Sequence, residues 1–141
     1  MLAWTPSLAI GVPWIDAQHQ ALFGWAERFE AAYRASDPVD RLEEVFAFLA
    51  AYTLEHFAAE ERFMREVGFP RLAEHVHEHR EFMRRFSTLV SQWSSEGASP
   101  ALLAALRGFL DLWLSQHVGK SDQRIAAFVR GREDGKTTAA G

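Results

Sequence analysis

Three short breaker segments, Ser36–Pro38, Gly68–Pro70 and Ser94–Pro100, cut this chain into four long stretches whose apolar residues recur every three or four positions. That spacing is the signature of amphipathic helices. The first stretch runs from about Asp16 to Ala35, with Ile15, His19, Leu22, Ala26, Phe29 and Tyr33 on one stripe. The second runs from Pro38 to Val67, with Asp37 as N-cap, Pro38 at the first helical position and Gly68 as C-cap. Its stripe is Leu42, Phe46, Leu49, Thr53, His56, Glu60, Phe63 and Val67. The third, Pro70 to Trp93, carries Leu72, His75, His79, Phe82, Phe86, Leu89 and Trp93. The fourth opens on the cap Ser99-Pro100 and carries Leu103, Leu106, Leu110, Trp113 and His117. Gly119 interrupts it after Val118, and Ser121–Val129 reads as a short continuation. Short loops force neighbouring helices antiparallel, so the expected fold is all-α, an up-down-up-down four-helix bundle.

Residues 1–15 contain Pro6, Gly11 and Pro13 and cannot form a regular helix. Their Trp4, Leu8, Ile10, Val12 and Trp14 predict an N-terminal arm packed over the bundle. The expected organisation is one domain over 1–131, arm included, and a flexible tail over 132–141. The sequence shows no internal repeat.

The stripes hold an anomaly. Five of the six histidines, and Glu60, fall at core positions. A buried carboxylate costs several kcal/mol unless compensated, and five imidazoles with it make a poor core. Metal ions compensate all of these groups at once. His19, His75 and His79 lie near the starts of odd helices, and His56, Glu60 and His117 near the ends of even ones. In an antiparallel bundle those positions share one end. His56 with Glu60, and His75 with His79, are four apart and share a helix face. Either pair alone is a weak signal; their shared seam and shared end make it strong. His77 is two residues from both His75 and His79, roughly 200° round the helix, and is excluded. Glu55, Glu61, Glu74 and Glu78 point off the seam and read as a solvated face. One of them could accept a bond from a histidine N–H, though the sequence does not say which. His117 and Asp122 are five apart, about 140° on a regular helix, and can share a site only if the helix bulges or breaks near Gly119.

Seven ligands exceed one tetrahedral zinc. Ferritin-type di-iron bundles use four carboxylates and a Glu-x-x-His spacing, which this chain lacks. Imidazoles with bridging carboxylates suit two irons, and the small negative charge favours reversible O2 binding over driving O2 to strong oxidants. The absence of cysteine excludes disulfides, iron–sulfur clusters and thiolate zinc and fits a reducing cytoplasm. A net charge of −4 argues against a nucleic-acid surface. No signal peptide and no membrane-length apolar run is visible, so membrane insertion is not expected.

On these motifs the chain resembles the hemerythrin family, specifically its bacterial single-domain members. The matching words are GVPWIDAQHQALF, HFAAEERFM, GFPRLAEHVHEHREF and WLSQHVGKSD, and the resemblance covers the chain from about Trp4 to Phe128. The resemblance implies a non-haem di-iron centre with an oxo or hydroxo bridge. His75, His79 and His117 would ligate one iron, and His19 and His56 the other. Glu60 and Asp122 would bridge them, and the iron short of one ligand would leave a position for O2. Trp113 and Leu114 match positions near the family's O2 pocket, although core packing explains Trp113 equally well; Leu22, Phe23 and Phe57 are further wall candidates. The expected function is oxygen carriage, storage or delivery by a cytoplasmic monomer that is not an enzyme. The alternatives are O2 or redox sensing through a separate signalling partner, and a di-iron oxidase or peroxidase.

Overall fold

A computed structural model describes residues 1–35 and 39–140, with backbone alone at 39–41 and 133–140. Four helical rods follow a 3-10 turn at Pro6–Leu8. They are α1 (Pro13–Arg34), α2 (Val39–Val67), α3 (Leu72–Glu96) and a fourth rod made of α4 (Pro100–Leu112), a π-helical stretch (Trp113–Ser121) and α5 (Asp122–Ala140). Consecutive helices pack together, and α1 closes the ring against α4. No strand occurs among the described residues. The expected four-helix bundle is therefore the fold. No described helix is long and apolar enough to cross a membrane.

The caps explain the corners. At the end of α2, Gly68 adopts φ 70°, which only glycine takes cheaply. Its N–H bonds Arg65 O at 3.2 Å, and Phe69 N–H bonds Met64 O at 2.9 Å, closing the helix with two of its orphan carbonyls. Phe69 then packs on Met64. Ser99 caps α4 by accepting from Leu102 N–H at 3.1 Å. The Asp37–Pro38 cap expected for α2 lies outside the described residues, as does the expected flexibility of the 132–141 tail, of which only the helical backbone to Ala140 is described.

One core runs through the bundle, from Leu22, Phe29, Leu42 and Leu49 to Phe82, Leu102, Leu106 and Leu110. The fully buried position near the end of α2 is Met64, not the expected Phe63, which is half-buried. A straight helix drifts about 20° per heptad against a 3.5-residue repeat, and over the length of α2 the inner face moves on by one residue.

The arm is fixed by polar as well as apolar contacts. Ile10 N–H and Gly11 N–H donate to the Asp16 carboxylate at 2.7 and 3.2 Å. Gln123 Nε2 donates to Leu8 O at 2.9 Å. Ile10 packs with Ile15 and Ala126, whereas Trp14 is largely exposed. Helix α1 begins at Pro13, three residues before Asp16, whose carboxylate is thus free to hold the arm.

Candidate metal centre

All seven predicted side chains meet at one end of the bundle, and each is at most 3% exposed. α1 brings His19, α2 His56 and Glu60, α3 His75 and His79, the π stretch His117, and the first residue of α5 is Asp122. Two groups form around Glu60: it joins His75, His79 and His117 on one side, and His19, His56 and Asp122 on the other. Within each group the potential ligand atoms lie within 4.8 Å of one another.

The carboxylate oxygens divide between the two sides. Glu60 Oε1 faces His75 Nε2 at 2.5 Å and His79 Nε2 at 3.1 Å. Glu60 Oε2 faces His56 Nε2 at 3.1 Å and His19 Nε2 at 3.6 Å. Asp122 Oδ1 lies 3.0 Å from His75 Nε2 and 3.2 Å from His117 Nε2, while Oδ2 lies 3.1 Å from His19 Nε2. Each carboxylate thus spans both histidine sets.

The chain alone does not satisfy these atoms. Glu60 Oε2, both Asp122 oxygens and His117 Nε2 are buried without an aligned hydrogen bond. His19 and His56 point Nε2 at Nε2 across 3.1 Å. Native interiors rarely leave such groups unpaired, and two cations among them would pair them all. Soft thiolates are absent, and imidazole with carboxylate is a donor set that suits iron.

Outer contacts orient the rings. His79 Nδ1–H donates to Glu61 Oε2 at 3.0 Å, His117 Nδ1–H to Glu78 Oε2 at 2.6 Å, and His56 Nδ1–H to Gln18 Oε1 at 2.7 Å. A proton held on Nδ1 leaves the Nε2 lone pair facing inward. Ser121 Oγ also donates to Glu78 Oε1 at 3.0 Å. Glu61 and Glu78, expected on a solvated face, are therefore supports of the site; Glu55, Glu74 and His77 are exposed. The sequence signal for the two supports was adjacency to the seam: Glu61 directly follows Glu60 and Glu78 directly precedes His79, so each leans towards an adjoining helix. Replacing Glu78 with Gln is expected to weaken metal affinity about tenfold, measured by competition with a chelator.

The halves differ. Carboxylates back two imidazoles of the three-histidine set, an amide backs His56, and His19 Nδ1 is buried with no partner. Aromatic rings cover the centre: Phe57 stacks on His79 at 3.9 Å and Trp113 on His117 at 3.8 Å, between ring centroids. Leu114, Leu22 and Phe23 are buried in the same core.

The fourth rod stays helical through Gly119, where an interruption was expected. Of the bulge or break that the His117–Asp122 spacing requires, it forms the bulge, and Asp122 N–H bonds His117 O, five residues back. Widening the turn in this way brings residues five apart onto one face. A Cβ on Gly119 would sit 3.2 Å from Leu114 O, so the close approach favours glycine. Side chains also reach carbonyls of the bulge: Gln123 Nε2 donates to Val118 O at 3.3 Å and Ser121 Oγ to Gln116 O at 3.4 Å.

Without metal, protons do part of the same work. Burial pulls the His19 imidazolium down, but Asp122 and Glu60 outweigh it and hold the group at about 9. His75 is held at about 8 against burial by the same two carboxylates. Burial lowers His56. Burial alone would raise Glu60, yet His117, His19 and His56 hold it well below its ordinary range. Burial likewise keeps the Tyr52 phenol well above its ordinary range, with Asp122 and Glu60 adding to it. His19 and His75 titrate above the ordinary 6.5 in the folded chain. Their stabilisation is complete below pH 6.5 and disappears as pH rises through 8 to 9. The melting temperature of metal-free protein is thus expected to fall over that interval. Metal-loaded protein should not show this fall, because metal replaces the protons.

Comparison with known proteins bears on this centre. Residues 10–129 match the family model described as hemerythrin HHE cation binding domain. A protein named bacteriohemerythrin from Stenotrophomonas maltophilia is 30% identical over 130 residues, covering 92% of this chain and 82% of that protein. One of the same name from Pseudomonas aeruginosa is 30% identical over 129 residues, with 92% and 82% covered. A myohemerythrin from Riftia pachyptila is 30% identical over 115 residues, covering 82% of each chain.

Proposed function

The chain belongs to the hemerythrin family, and we propose that it binds O2 reversibly at a non-haem di-iron centre, for oxygen carriage, storage or delivery. The observation that carries the reading is the division of each carboxylate between the two histidine sets. One Glu60 oxygen serves each side, and one Asp122 oxygen serves each side. Such sharing suits two ions bridged by Glu60 and Asp122. His75, His79 and His117 would hold one iron, and His19 and His56 the other.

The second set supplies one imidazole fewer, and there O2 would find an open position. When bound, the iron pair supplies the electrons that O2 borrows and returns on release. The chain's own part is to hold the imidazoles in one tautomer and to keep water out. Trp113 and Leu114, with Leu22, Phe23 and Phe57, are buried beside the centre and form the proposed wall of a dry pocket. A binding protein needs no acid or base beyond this. The inward-facing stripes fit a monomer, the absence of cysteine fits the cytoplasm, and an O2-accepting protein is the proposed partner.

Purified protein should carry about two irons per chain and show oxo-to-iron charge-transfer bands. Reduced protein exposed to O2 and then argon should cycle between two spectra. Colourless, zinc-only protein from iron-replete cells would overturn the di-iron reading, and rapid irreversible oxidation would overturn reversible carriage. His77→Ala should leave iron content unchanged, because His77 is exposed. His79→Ala should lower it several-fold.

A further inference from the structure

Two hydrogen-bond donors lie buried beside the centre without an acceptor. Tyr52 Oη and Trp113 Nε1 have no partner, although the residues are only 6% and 8% exposed. Tyr52 sits one turn before His56 on α2, and its ring stacks on that imidazole at 4.7 Å and 16°. Trp113 sits one turn before His117, and stacks on it at 3.8 Å and 8°. Each ring is therefore locked against a different half of the centre. Phe57 lies against both, 6.1 Å from Tyr52 and 5.6 Å from Trp113.

The indole N–H also lies near the phenol oxygen, without the alignment of a hydrogen bond. Apolar rings pack beside them, with Phe82 4.6 Å from Trp113, and the Asp122 and Glu60 carboxylates act on the phenol from the centre. Native interiors rarely leave a donor unmade in such a setting, and two together call for an acceptor. An N–H and an O–H can both give, so a partner able to pair with both is a small ligand that accepts. A ligand that gains negative charge at the centre would accept most strongly.

We propose that Tyr52 and Trp113 form a donor pair that hydrogen-bonds a small acceptor held at the centre, O2 or an anion such as azide, and that this pair sets how long the ligand stays. The inference rests on the metal reading above and deepens it, for it makes the pocket polar at one defined spot. Tyr52 then determines ligand retention without ligating metal. Trp113 contributes its N–H as well as its apolar face.

The test uses iron-loaded protein, with azide affinity read from the charge-transfer absorption and O2 release read by stopped flow. Tyr52→Phe, which keeps the ring and its stack, should weaken azide about tenfold and speed O2 release by a similar factor. Trp113→Phe should act in the same direction, and the double variant should lose more than either. In iron-free protein Tyr52→Phe should leave the melting temperature unchanged or raise it, since the hydroxyl makes no aligned hydrogen bond within the protein. A lowered melting temperature would mean that the hydroxyl bonds within the protein, and would overturn the proposal. Two irons per chain with unchanged azide affinity and O2 release in Tyr52→Phe would overturn it and leave the metal reading intact. A parent protein without iron would overturn both.

Discussion

Glu60→Ala should empty the centre of both ions. Asp122 also reaches both histidine sets, but Glu60 alone belongs to both groups of potential ligand atoms. Removing it takes an oxygen from His75 and His79 on one side and from His56 and His19 on the other. It also leaves Asp122 as the one fully buried carboxylate among the described residues, against five buried imidazoles. Iron per chain is expected to fall at least tenfold, since even the outer contacts of a metal site are worth roughly 10–100-fold in affinity, as measured by elemental analysis. Glu60→Gln should fall between the two, because it keeps an acceptor oxygen and loses the charge. A Glu60→Ala protein that retained both irons would overturn the bridging role. The metal-free variant should also lose much of the alkaline drop in stability, because Glu60 helps to hold His19 and His75 protonated.

Leu106→Ala should do the reverse: a large loss of stability with iron content unchanged. Leu106 is fully buried in the main core. It lies eleven residues before His117, roughly 16 Å along a helix at the usual rise, so its cavity opens away from the centre. Leucine-to-alanine changes at such sites cost about 2–5 kcal/mol. For a domain of this size that is a drop of roughly 10 °C in melting temperature, readable by calorimetry on metal-free protein. Iron content that fell in parallel would mean that the core layer and the metal layer do not act independently. Together the two substitutions separate what holds the bundle from what occupies it.

Much of this was legible in the chain. The breakers at Gly68 and Ser99 mark real caps, because local chemistry fixes them: a positive φ in one case, a hydroxyl acceptor in the other. The seam placement of His19, His56, Glu60, His75, His79 and His117 followed from periodicity, since a residue's face on its own helix depends only on its position along it. The same arithmetic showed that His117 and Asp122 need a distorted turn. Whether that turn would break or widen was beyond it. In the widened turn the backbone bonds continue at five-residue spacing, and Gln123 and Ser121 add side-chain donors to its carbonyls. Glu61 and Glu78 were placed on the solvent side because one helix taken alone puts them there. Glu78 is bonded to His117 from a different helix, and Glu61 to His79 from a different helix again.

The sequence by itself determined the four helical segments, most of the side chains that face inward and the end of the bundle at which six of the proposed ligands gather. These follow from spacing within single segments and from the direction that short loops impose. Only the tertiary structure decided which carboxylate oxygen faces which imidazole, which polar groups back the rings and which donors remain unmade. Those relations span helices distant in sequence, and they depend on how far each rod is rotated and slid against its neighbours. Packing across the whole core sets that rotation and offset, and no single segment encodes them.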